Sequence, residues 1–108
     1  MAFNEQLANR IREQLKFFPE TFTEKRMFGG LSFLYKGKMT VGIIKQELAV
    51  RIVSDKMEIE LAKPTVRPMD FTKRPMKEFV YVSNEGIKTE TELLNYIELG
   101  LEHAKSKL

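Results

Sequence analysis

The sequence predicts an α+β fold in two layers, an antiparallel β-meander sheet covered by helices on one face, and three observations predict it. A period-two run fills the stretch from Met27 to Arg51, amphipathic helical stripes stand near both ends, and each stripe has one apolar face to bury. In the run, Leu31, Phe33 and Tyr35 alternate with Ser32 and Leu34, and Met39, Val41 and Ile43 alternate with Thr40, Gly42 and Ile44. Lys36-Gly37 and Lys45-Gln46 are short polar pairs that reverse the chain, after which Leu48, Val50 and Ile52 run back along the sheet. The expected order is one helix, three or four strands, a helix, a strand and a last helix.

Taken in order, Phe3, Leu7, Ile11 and Leu15 recur every four residues, with Ala8 and Phe18 widening the stripe of a first helix. Asn4 is its expected N-cap and Pro19 its stop. A first strand is expected over 25–28, with Gly29-Gly30 supplying a turn or a bulge. After the meander, Ser54 or Asp55 is placed to cap a short helix with Met57, Leu61 and Ile59 inward, ending near Lys63 because Pro64 follows. From Thr65 to Lys77 an Arg-Pro-Met triplet occurs twice, at Arg67-Pro68-Met69 and Arg74-Pro75-Met76. Proline removes a backbone donor and holds the preceding residue extended, so this stretch reads as an extended loop. Glu78 to Val82 reads as the last strand and Ser83 to Gly86 as a turn. Thr89 and Glu92 form a capping box for a final helix with Leu93, Ile97, Leu101, Ala104 and Leu108 on its apolar face, and Gly100 inside it marks a close approach by a neighbour.

A chain of 108 residues is expected to form one domain spanning 1–108, and 43% apolar with 31% charged content is that of an ordinary folded protein. Cysteine is absent, which excludes disulfides, thiolate nucleophiles and sulfur-ligated metal sites and fits a cytoplasmic location. No apolar stretch approaches membrane-spanning length, so no membrane association is expected. The net charge of +3 is small, but the cations are concentrated. Six stand against two acids from Glu24 to Arg51, and five against two from Lys63 to Glu78. If the sheet and the proline-rich loop share a face, that face is basic.

Few residues suggest chemistry. Gly29-Gly30 matches neither dinucleotide nor P-loop spacing and is followed by a strand, so a structural role outweighs a phosphate cradle. His103, the single histidine, falls on a polar helical position and reads as a helix-end cation. With no second histidine, neither a transition-metal site nor a Ser-His-Asp triad is expected, and no cofactor is implied. Met39 and Met57 fit core faces, whereas Met69 and Met76 fill gaps under the loop or at an adaptable interface. Tyr35, Tyr81 and Tyr96 are core-edge residues. Asp70 stands between Arg67 and Arg74 and reads as an ion-pair partner holding the loop, with a general base as the alternative. Arg51, Arg67, Arg74 and Lys77 are the candidate binding residues for phosphate, carboxylate or an acidic partner surface. The competing reading is that these arginines brace the loop.

The blocks MFGGLSFLYKGKM, LAVRI and RPMDFTKRPMKEF resemble the amino-terminal domain of the TfoX/Sxy family. Carrying the resemblance are Met27, Phe28, Gly29, Gly30, Gly37, Met39, Pro68, Met69, Asp70, Phe71, Pro75 and Met76, within a match from about Lys25 to Ala104. It implies a secretion-chaperone-like α+β architecture and a regulatory role, in competence-gene transcription alongside the cyclic-AMP receptor protein, with no catalytic residue set. Three readings follow. The first is a non-enzymatic, protein-binding regulatory domain with an unknown partner, able to pair as a homodimer through Leu34 and Ile44 on the uncovered sheet face. Another is a nucleic-acid binder using the basic face, with Phe71, Phe79 and Tyr81 beside arginines. The last is a small anion-binding protein or enzyme centred on Arg67, Asp70 and Arg74.

Overall fold

Left-handed backbone closes the hairpins. Lys36 (φ +50°) and Gly37 (φ +81°) form one tight turn and Lys45 (φ +58°) opens the next, which supplies the twist that right-handed strands need at a two-residue connection. The structure, a computed structural model, describes residues 4–27, 29–68 and 77–108, and of Met27 the backbone alone. Along it run α1 (Glu5–Leu15), β1 (Phe22–Met27), β2 (Gly30–Tyr35), β3 (Lys38–Ile44) and β4 (Glu47–Arg51). Then come α2 (Ser54–Leu61), β5 (Val66–Pro68), β6 (Phe79–Val82), a 3-10 turn (Asn84–Ile87) and α3 (Glu90–Ser106).

Among the described residues the sheet has six strands in the order β1-β2-β3-β4-β6-β5, every neighbouring pair antiparallel. The first strand begins at Phe22 rather than Lys25, because Phe22 to Met27 pair continuously with Tyr35 to Gly30. A second departure is β5. The sequence read this part of the chain as loop, but Val66 to Pro68 pair with Val82 to Val80 as an edge strand, where a proline without an N–H is tolerated.

The helices lie where their apolar stripes predict. Asn4 caps α1 by accepting from the Leu7 N–H at 3.1 Å, and Thr89 and Glu92 complete the capping box of α3. Ser54 caps nothing: the N-cap of α2 is Val53, without a side-chain bond, and Ile59 is 65% exposed instead of facing inward. Leu108, expected on the apolar face of α3, is also exposed. The main core joins Leu7 and Ile11 of α1, Leu93, Tyr96 and Ile97 of α3, and the inward side chains Leu31, Phe33, Val41, Ile43, Leu48, Val50, Val80 and Val82. No helix among the described residues is long and apolar enough to cross a membrane.

One irregularity governs how the layers meet. Phe33 pairs with Val41 and Leu34 with Met39, so β3 carries one extra residue, Thr40, as a bulge. The Thr40 side chain turns back to donate to the Phe33 carbonyl at 2.9 Å. Its own carbonyl faces α3 at Gly100, where a Cβ would stand 2.4 Å from the Thr40 oxygen. The bulge also reverses one sequence assignment. Simple alternation placed Met39 in the core with Val41, but the inserted residue puts Met39 on the opposite face.

Alanine is about 1 kcal/mol better than glycine in a helix interior, yet Gly100→Ala is expected to destabilise the protein by about 1–3 kcal/mol, as overpacking against backbone does. Urea denaturation measures it. Equal or greater stability would mean that α3 does not need this close seat.

Candidate functional site

The sheet face away from the helices carries a row that crosses all six strands in register: Lys25, Ser32, Gly42, Ala49, Tyr81 and Arg67. Its centre is shallow, since Gly42 and Ala49 have almost no side chain. Met39 lies over that centre, its methyl 2.9 Å from where a Gly42 Cβ would stand. Ala49, Phe79 and Tyr81 form a second apolar cluster, with Met39 and Ile44 packed against it. Alternation along β3 and β4 places Ile44 here as expected, and Leu34 is on the same face and half-buried.

Two arginines close over this cluster from neighbouring strands. Arg51 is the cross-strand partner of Phe79 and holds its guanidinium 4.8 Å from the ring centroid, and Arg67 partners Tyr81 at 4.5 Å. Arg67 also reaches across β6 to Glu47 with two hydrogen bonds, at 2.6 and 2.5 Å, a fork geometry that only arginine offers. That pair holds the Glu47 carboxyl below its ordinary range. Burial pushes the Arg51 guanidinium down, and the nearby Glu78 charge opposes the shift. Of the four sequence-nominated cations, Arg51 and Arg67 therefore share a face, each stacked on an aromatic ring. Lys77 is exposed in the turn before β6. Arg74 lies outside the described residues, as do Phe28, Met69, Asp70, Phe71, Pro75 and Met76.

Among the described residues the remaining cations do not converge. Lys36 and Lys38 flank one turn of β3 and Lys45 sits at the other, about 20 Å away for a strand of that length. Lys63 is on the helix side, bonded to Glu60 at 3.0 Å. Gly29 (φ +73°) occupies the turn between β1 and β2, and a Cβ on Gly30 would stand 2.1 Å from the Ile43 carbonyl oxygen. The Gly-Gly pair thus serves chain reversal and close strand packing.

A polar junction forms where the start of β6 meets the ends of three other elements. Glu78 adopts a left-handed conformation (φ +60°), uncommon for a side chain of its size. Its backbone carbonyl accepts from the Ile52 N–H at 3.0 Å. Its carboxylate accepts from the Ser54 hydroxyl, faces His103 Nε2 at 3.1 Å and pairs with Lys107 at 3.2 Å. These bonds, Ser54 first and then His103 and Lys107, pull the Glu78 carboxyl down to about 2. His103 is therefore no exposed helix-end cation: it is 3% exposed, and its Nδ1 is buried without a hydrogen-bond partner. Burial lowers the imidazole, Glu78 opposes the shift, and Arg51 and Lys107 add to the lowering. A sequence signal for this existed, since His103 lies seven residues after Tyr96 and three after Gly100, on the buried side of α3. Among the described residues no group of three histidines, cysteines or carboxylates is placed to hold a metal.

An open antiparallel sheet with helices on one face, and on the other an apolar cluster under stacked arginines, defines an α+β domain built around two faces of a single sheet. The chain belongs to the TfoX N-terminal domain family, which matches residues 13–104. No curated protein matches it.

The junction has a definite pH dependence. Because the folded-state pKa of His103 is below the ordinary 6.5, the unfolded chain takes up the proton first. That stabilisation is complete above about pH 6.5 and is lost as pH falls through the lower, folded value. The contribution of Glu78 is present above its ordinary 4.5 and is lost toward 2, a separate window. Melting temperature should fall from pH 7 to pH 5, and His103→Leu should flatten the profile there while leaving a smaller decline below pH 4.5, carried by Ser54 and Lys107. An unchanged slope between pH 7 and 5 in the variant would assign the titration elsewhere.

Proposed function

We propose that this chain is a non-catalytic interaction domain in transcriptional regulation, binding an acidic surface of a protein partner through the uncovered sheet face. Family membership supports the regulatory role. The observation that carries the binding surface is the second apolar cluster, in which Phe79 and Tyr81 lie under Arg51 and Arg67 with Met39 and Ile44 beside them. Aromatic residues, methionine and arginine are the types enriched where protein interfaces concentrate their binding energy. Lys25, Arg51 and Arg67 against the single carboxylate of Glu47 give the described part of this face a positive balance, which favours an acidic partner. Lys77, exposed in the turn before β6, belongs to the same reading, and Arg74 enters it by its sequence position alone. The dispersal of the cations among the described residues argues against the nucleic-acid reading, since affinity for a phosphate backbone needs several contacts converging on one strand.

The test uses the purified cyclic-AMP receptor protein, the regulator that the family resemblance implies, in biolayer interferometry with this chain. Saturable binding is expected, weakened tenfold or more by Ile44→Asp with a melting temperature within a few degrees of the parent. Binding unaffected by Ile44→Asp would remove the sheet face as the surface, and no binding would remove this partner. In parallel, anisotropy of labelled duplex and single-stranded DNA at low salt is expected to show no saturable complex.

A further inference from the structure

On the opposite side of the molecule, a groove of about 1020 Å³ runs along α3, with α2 on one wall and the connection between α1 and β1 on the other. Six glutamates and three lysines line it, so it is negative in a chain whose net charge is +3. Each lysine is already matched to a glutamate: Lys56 to Glu102, Lys63 to Glu60 and Lys105 to Glu20. The excess negative charge comes from Glu85, Glu92 and Glu98. Glu92 serves the capping box, whereas Glu85 and Glu98 are exposed and form no ion pair among the described residues. Between the charges, Phe18, Leu99 and Leu101 supply an apolar floor.

We infer that this groove docks a basic amphipathic helix from a protein partner. The lining positions on α3 run from Glu92 to Lys105, about 20 Å of helix axis, or roughly four turns of a partner lying alongside. Such a helix lays apolar side chains at i, i+3, i+4 and i+7 on the floor and carries lysine or arginine on its flanks to meet Glu85 and Glu98. Charge selects the occupant, because an acidic or neutral helix leaves those carboxylates without partners and gains only the floor. Lying on the face opposite the proposed sheet surface, the groove is a second binding surface and does not depend on the first.

The probe is a fluorescein-labelled 14-residue leucine/lysine amphipathic peptide, with a leucine/glutamate peptide of the same pattern as the control, titrated by anisotropy at 50 and 300 mM salt. Saturable binding of the basic peptide is expected, weakened by salt and by tenfold or more in Glu85→Lys/Glu98→Lys, both surface substitutions that the fold tolerates. Amide NMR shifts on binding should cluster on α2 and α3 and not on β4 or β6. The inference is overturned by failure of the basic peptide to bind at 50 mM salt, by equal binding of both peptides, by equal affinity in the double variant, or by shifts confined to the sheet. Self-association in sedimentation that the double variant abolishes would assign the groove to a second copy of the chain and likewise overturn it.

Discussion

The contact between Gly100 and the Thr40 bulge is the constraint on which both faces depend. A bulge leaves a carbonyl out of the ladder, and here the Thr40 hydroxyl satisfies Phe33 while the Thr40 carbonyl turns toward the one α3 position that has no Cβ. Seated that closely, α3 brings Leu93, Tyr96 and Ile97 onto the sheet and closes the main core. The same extra residue sends Met39 through to the other side, where it covers Gly42 and supports the Ala49, Phe79 and Tyr81 cluster. One inserted residue thus sets the helix-to-sheet distance and also the composition of the uncovered face.

In the proposed interface, the arginines on that face would serve both roles that the sequence set in competition. Arg67 spans from Tyr81 to Glu47 and ties edge strand β5 to β4 across β6, a bracing function. Half-exposed bidentate pairs of this kind contribute modestly, on the order of 1 kcal/mol or less. Their larger effect is geometric, since a guanidinium held over a ring is a fixed, weakly hydrated cationic surface. A brace of this kind pre-organises an interface and lowers the side-chain ordering cost of binding.

Much of the fold was legible because it rests on local chemistry. Period-two alternation, the Lys-Gly turn, the Asn4 cap, the Thr89 and Glu92 box and the glycine inside α3 each act over a few residues, and each appears where the sequence placed it. What escaped was non-local or broke a local rule. The bulge at Thr40 inverted Met39 because nothing in an alternating run announces one extra residue. Strand β5 escaped because a proline-bearing edge strand of three residues carries the local signature of loop. Of the candidate site, the sequence nominated Arg51 and Arg67, which lie on one sheet face, but it could not reveal their aromatic partners, which are fixed by strand register.

Glu78 shows why the remaining part was not legible. Nothing about a glutamate following Lys77 signals a left-handed backbone, and its partners Ser54 and His103 are 24 and 25 residues away in opposite directions. Once the tertiary fold places them together, the arrangement has a clear logic. The carboxylate ties the start of β6 to the first turn of α2 and the last turns of α3, while the next residue, Phe79, faces the other side of the sheet beneath Arg51. Arg51 is near enough to be influenced by the Glu78 charge and to influence His103 in turn. The junction is therefore the place where the electrostatics of the helix layer and of the uncovered face meet. A left-handed glutamate persists there because four groups, the Ile52 amide, Ser54, His103 and Lys107, hold it from three directions.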